Sequence, residues 1–141
     1  MAQKSHGTLL KIGNGGSPET FTTIAEMLDM EGPEIKNELE QVTSHDDASH
    51  KYLAKLKDNG KLDFQTNYVD AATQNEVSGL VADANSGVIR NFELHPPNPY
   101  SKKIKFAAVV ETFAWSTPIN GVFRAKGNLK VTGDITFAAK P

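Results

Sequence analysis

The feature that most limits what this chain can fold into is strict alternation. Leu62, Phe64, Thr66 and Tyr68 alternate with Lys61, Asp63, Gln65 and Asn67, the pattern of a strand with one buried face and one wet face. Ile35, Asn37, Leu39 and Gln41 alternate in the same way with Glu34, Lys36, Glu38 and Glu40. Phe92 and Leu94 give a shorter version. Ile104, Phe106, Ala108 and Val110 repeat it, and so do Leu129, Val131, Ile135 and Phe137. Residues 8–12 and 20–24 are further short strand candidates. Between these runs lie Gly13-Asn14-Gly15-Gly16-Ser17-Pro18, Glu31-Gly32-Pro33, Asn59-Gly60, Pro96-Pro97-Asn98-Pro99 and Asn120-Gly121, all turn formers. The two Asn-Gly pairs predict type I′ hairpin turns. A chain of 141 residues with this pattern predicts one domain spanning 1–141. The expected fold is mainly β, an antiparallel β-sandwich or partial barrel of about seven strands.

One segment departs from period two. Val77, Leu80, Val81 and Ala84 follow i, i+3, i+4, i+7 spacing, which predicts a packed α-helix over about 73–86. Thr73 and Glu76 form a T-x-x-E capping box, and Gly87 is placed to end the helix. Residues 43–57 show neither period cleanly, and an extended loop over about 43–60 is predicted, with a single helical turn at 52–56. Long irregular segments in compact domains are commonly functional. Its candidate contact residues are His45, Asp46, Asp47, His50, Tyr52, Leu53, Leu56 and Lys57.

Charge is unevenly placed. From Glu19 to Asp47 there are nine acidic residues against Lys36 alone, and from Lys102 to Lys140 seven basic residues against Glu111 and Asp134. This suits either two solvated surfaces or complementary faces that meet in a self-assembly. Cysteine is absent, which removes disulfides, thiolate catalysis and Cys-based zinc sites. The net charge of -2 gives no basic field for a sequence-reading nucleic-acid binder. There is no run of 18 apolar residues to span a bilayer, and residues 1–6 have no apolar stretch of a secretory signal.

No catalytic arrangement emerges. His45-Asp46-Asp47-Ala48-Ser49-His50 holds metal-ligating residue types, but H-x4-H does not put both rings on one helix face, and no other cluster completes a ligand set. A polar loop with an Asx-type turn is the plainer reading. The Gly13–Ser17 glycines lack the Lys-Ser/Thr of a phosphate loop and read as a hairpin turn. There is no G-x-S-x-G elbow. Glu38 and Glu40 share a strand face at about 7 Å, which alone is no glycosidase signal. No enzyme activity, cofactor or metal is expected.

The order of several motifs resembles a known family. Gly7-Thr8-Leu9-Leu10-Lys11-Ile12-Gly13-Asn14-Gly15-Gly16-Ser17-Pro18-Glu19-Thr20-Phe21-Thr22-Thr23-Ile24 is similar to the opening of major tail tube proteins of phages with long non-contractile tails (siphophages). Gly32-Pro33, Val42-Thr43-Ser44-His45-Asp46, Leu56-Lys57-Asp58-Asn59-Gly60-Lys61-Leu62-Asp63-Phe64, Arg90-Asn91-Phe92-Glu93-Leu94 and Leu129-Lys130-Val131-Thr132-Gly133 follow in the family's order. The resemblance implies a tail-tube fold and a virion protein made in the host cytoplasm. It implies hexameric rings that stack into a tube through which DNA leaves, with strand edges pairing between subunits. The 43–57 loop would make contacts between subunits or rings. Glu34, Glu38 and Glu40 would form an acidic lumenal patch. Expected partners are the chain itself, tape measure, tail terminator and tail tip proteins, with DNA in transit and no membrane. Since the chain stops soon after Phe137, no C-terminal immunoglobulin-like domain is expected. The alternatives are a tube protein of a bacterial contractile or secretion apparatus, a small β-sandwich binding module or, last, a metal-dependent enzyme.

Overall fold

The computed structural model describes residues 7–97 and 100–139. His6 and Lys140, and the Asn98-Pro99 part of the proline-rich turn, lie outside them. The described elements run β1 Leu9–Gly13, β2 Phe21–Thr23, β3 Met27–Glu31, β4 Lys36–Gln41, β5 Tyr52–Asp58, β6 Lys61–Asn67, α1 Leu80–Ser86, β7 Ile89–His95, β8 Lys102–Ser116 and β9 Arg124–Ala139. Seven strands form one sheet in the order β2-β1-β7-β8-β9-β6-β3, and β4 and β5 form a separate hairpin. Every strand pair is antiparallel.

Chain connectivity rolls the large sheet. Its two edge strands, β2 and β3, are joined by Ile24, Ala25 and Glu26 alone. A flat sheet of seven strands would hold its edges about 29 Å apart, whereas four Cα steps from Thr23 to Met27 reach at most about 14 Å. The sheet therefore curls into a barrel, and the Ile24–Glu26 segment is its seam. Ile24 N–H donates to Leu10 O at 2.9 Å on one side of the seam. On the other, Thr66 Oγ1 donates to Glu26 O at 2.8 Å.

Alternation fills the inside. Leu10, Ile12, Leu62, Phe64, Phe92, Phe106, Ala108, Val110, Leu129 and Val131 all bury in one cluster with Ile24 and Leu80, as their parity predicts. Phe92 stacks on Phe106 with ring centroids 5.9 Å apart. Two bulges adjust the long β8–β9 ribbon, one near Gly133 opposite Phe106 and one at Glu111. Gly133 takes φ 81° there, a region costly for residues with a Cβ.

Several expectations are corrected. The helix is Leu80–Ser86 rather than 73–86, with Gly79 at its N-cap and no side-chain cap. Thr73 Oγ1 instead accepts from Ala25 N–H at 3.2 Å, and the neighbouring Gln74 amide donates to Ala25 O and to Thr66 Oγ1. These residues fasten the barrel seam, so the T-x-x-E box does not form, and Val77 is exposed rather than docked. Gly87 ends the helix as predicted, at φ 70° with its N–H on Asp83 O. Neither Asn-Gly pair makes a two-residue hairpin. Asn59-Gly60 is the corner between β5 and β6, which belong to different sheets. Asn120-Gly121 sits in a longer loop after Ser116, which pairs with Arg124. Residues 52–58 are a strand, not a loop or helical turn.

Candidate assembly surface

The β4–β5 hairpin leaves the barrel at a corner built by three adjacent residues. Asp58 Oδ1 accepts from Gly60 N–H at 3.0 Å and pairs with Lys130 Nζ at 3.3 Å. These contacts, the Gly60 hydrogen bond first, hold the Asp58 carboxyl below its ordinary range. Asn59 is buried, its amide donating to Gly133 O. Glu34 N–H donates to Asn59 O at 3.2 Å, so the hairpin's entry and exit meet at its base.

Beyond that base the hairpin buries almost nothing. All six residues of β4 are exposed, as are the first six of β5. The expectation that Ile35–Gln41 buries one face therefore fails: Ile35, Leu39, Val42, Tyr52, Leu53 and Leu56 stand in solvent, Leu56 at 87%. Cross-strand pairing sorts the faces. Leu39 lies opposite Ala54 and Gln41 opposite Tyr52, while Glu40 lies opposite Leu53. One face thus carries Ile35, Leu39 and Tyr52 with no carboxylate. The other carries Glu38 and Glu40, with Lys55 Nζ 4.0 Å from Glu40. Lys57 sits opposite Asn37, and Glu34 is at the base rather than on β4.

The tip, residues 43–51, is an ordered polar turn. Asp47 accepts from Ser44 N–H at 2.7 Å and Ser44 Oγ at 3.2 Å, and pairs with Lys51 at 2.8 Å. The Lys51 contact, then the Ser44 amide, lowers the Asp47 pKa. His50 Nδ1 lies 2.9 Å from Gln41 Nε2. No group of three His, Asp or Glu side chains that could hold a metal ion is found among the described residues; His45, Asp46, Asp47 and His50 lie in this turn.

Two more surfaces escaped the sequence reading. At the hairpin base, Glu31, Glu34, Asp58, Asp63 and Glu111 line a depression of about 530 Å³ with only Lys61 and Lys130 to offset them. Glu31 and Asp63 are directly opposite across β3 and β6, a like-charge pairing that disfavours the isolated sheet. At the other end, core aromatics run out through the barrel mouth. Phe113 contacts Phe64, Tyr68 and Trp115, and Tyr68 contacts Phe123 at 5.2 Å. Trp115, Ile119, Val122 and Phe123 are exposed there, Ile119 at 98%. Apolar residues inside a Pro-Asn-Gly loop were the available signal.

Buried charge elsewhere is accounted for by structure. Arg90 joins Asp83 at 3.0 Å and donates to Gly13 O at 2.7 and 3.0 Å, tying α1 to the first turn. Burial raises the Asp83 pKa despite the guanidinium. Glu93 is held by His95 and Lys103 at 2.9 and 3.0 Å. Burial works to raise its pKa, but these contacts outweigh it and the net shift is downward. Among the described residues, no helix is long and apolar enough to cross a membrane.

No protein-family model and no curated protein sequence matches the chain. Solved structures do match it. A chain from the tail of an empty gene transfer agent particle with C6 symmetry superposes with a TM-score of 0.80 at 17% identity, covering 98% of this chain and 100% of its own. A chain from the sheath–tube complex of the PVC extracellular contractile injection system gives 0.72 at 8% identity, covering 99% and 93%. A chain from the tube-terminating cap of the anti-feeding prophage gives 0.73 at 6%, covering 99% and 93%. This chain shares its mainly antiparallel β fold, with one short helix, with chains of phage-like tails and tubes.

Proposed function

We propose that this chain is a structural subunit that polymerises into rings, six copies to a ring, and that the rings stack into a phage tail tube that conducts DNA. The observation that carries this reading is the hairpin. Six large apolar side chains sit on a two-stranded projection that buries none of them in its own barrel. A two-stranded ribbon is marginal alone in water, and an apolar surface of this kind is completed by another molecule. Open strand edges support the same reading. β6 pairs β9 along Arg124–Lys130 only, and no described strand pairs that edge from Thr132 to Ala139. Ring closure removes such edges, and ring-on-ring contact, being heterologous, extends the tube.

In this reading the segment containing Tyr52, Leu53, Leu56 and Lys57 is the assembly arm, with His45, Asp46, Asp47 and His50 at its tip. Glu38 and Glu40 supply negative charge to the lumen wall, opposing the attraction between protein cations and phosphate, while Glu34 stands at the hairpin base. The role is structural rather than catalytic, in a virion tail, with tape measure, terminator and tip proteins as partners. The likeness to contractile-injection tube assemblies favours one second reading, a tube that works inside a sheath. A sheath protein that co-assembles around the tube would mark that case.

Negative-stain microscopy of the concentrated protein tests the proposal. Rings or tubes are expected, and a preparation that stays single and monodisperse at millimolar concentration refutes it. Glu38→Lys with Glu40→Lys is expected to leave tubes intact but retain DNA during ejection; normal ejection removes the lumenal assignment.

A further inference from the structure

The two ends of the barrel are complementary in charge and alike in apolar exposure. β6 and β9 run side by side from Asn67 opposite Arg124 to Lys61 opposite Lys130, a span of about 20 Å. The Arg124 end carries the exposed loop of Trp115, Ile119, Val122 and Phe123. From Trp115 to Ala125 the charged residue is Arg124, and it is not ion-paired with a described residue; Lys126 lines a depression with Glu31 and Asp63 of its own copy. Of the carboxylates at that end, Asp70 is within 3.4 Å of the Asn75 amide, and Glu26 lies on the far side of β6, its carbonyl accepting from Asn67 N–H. The Lys61 end carries the acidic depression, where Glu31, Glu34, Asp63 and Glu111 are also without an ion pair among the described residues. Next to it rises the carboxylate-free hairpin face with Ile35, Leu39 and Tyr52.

We infer that the β8–β9 loop of one copy docks on the hairpin base of the next. Its apolar tip covers the Leu39–Tyr52 face, and Arg124 enters the field of the acidic depression. The occupant is a second copy of this chain because each end supplies what the other lacks. A cation with no ion pair meets carboxylates with none, and an apolar loop meets an apolar ribbon. The two ends lie at opposite limits of the same strands, so one molecule cannot satisfy itself. The contact is therefore head-to-tail and propagates. The loop is held ready for it: Tyr68 N–H donates to Phe123 O at 3.0 Å, and the Tyr68, Phe113 and Trp115 rings brace its stems. Such preorganisation lowers the ordering cost of binding.

The inference rests on the self-assembly reading, and the test separates the two. Ile119→Asp changes a side chain that takes almost no part in the fold, so thermal unfolding should be unchanged, while the critical concentration for assembly should rise roughly tenfold or more, as for a central contact residue. Charge reversal gives the second arm. Arg124→Glu makes both ends acidic; Glu31→Lys with Glu34→Lys makes the depression basic. Each variant alone should fail to assemble, and an equimolar mixture should assemble with the two alternating. Wild-type protein that forms no rings or tubes overturns the self-assembly reading itself. Wild-type assembly with normal assembly of Ile119→Asp, or with no rescue in the mixture, leaves that reading standing and overturns this contact.

Discussion

Gly127 sits where β9 presses against the bulge of β8. A Cβ added there would overlap the Thr112 carbonyl oxygen and crowd Phe113 Cα. Backbone cannot swing aside as a flexible side chain can, so Gly127→Ala is expected to cost about 1–3 kcal/mol. A drop in the thermal unfolding midpoint of the isolated subunit checks this, and an unchanged midpoint refutes the close approach. Nothing in the sequence around Gly127 announces the constraint, because it arises from a register shift between two strands. The buried residues were far more legible. Parity alone marks Leu62, Phe64, Phe106, Ala108, Val110, Leu129 and Val131 as buried, since side chains on a strand alternate between its faces. It does not mark Thr73 and Gln74. Polar residues that bond locally at a helix start have the same identities as those that bond across a barrel seam, and only the fold decides which occurs.

The hairpin shows where element-level reading stops. β4 was visible because polar and apolar residues alternate along it, yet neither of its faces is buried. β5 gives no strand signal in the sequence because Tyr52, Leu53 and Leu56 do not alternate. The register shift between Asn37 and Leu39 places an extra β5 residue there, and a bulge breaks period two. Alternation reports burial within one chain, so a strand whose faces are left to a neighbour gives little signal. Tyr52 is exposed and shares its face with Leu39. Tyr52→Asp is therefore expected to leave the subunit's unfolding within about 0.5 kcal/mol of the parent, as for surface sites away from the core, while shortening tubes and lowering their yield. Parent-like tube length and yield by microscopy would show that this face does not carry assembly.

At the scale of the whole molecule, the barrel and the hairpin are separable in energy. The barrel closes through the Ile24–Glu26 seam, and its apolar cluster draws on β1, β6, β7, β8, β9 and α1 but on no residue of β4 or β5. The hairpin's two ends already meet, Glu34 N–H on Asn59 O and Lys36 opposite Asp58. Replacing residues 35–57 with a two-glycine link should therefore keep the barrel. Paired strands stand only about 5 Å apart, and a shorter loop costs less to close. Stability is expected to change by no more than about 1–2 kcal/mol, read by denaturant unfolding, and the far-ultraviolet spectrum should remain that of a β protein. The same variant should form no rings or tubes at concentrations where the parent does. A barrel that unfolds on excision would mean that the hairpin belongs to the subunit's own core. Tubes that form without it would mean that strand edges suffice for assembly, and would overturn the contact between the β8–β9 loop and the hairpin.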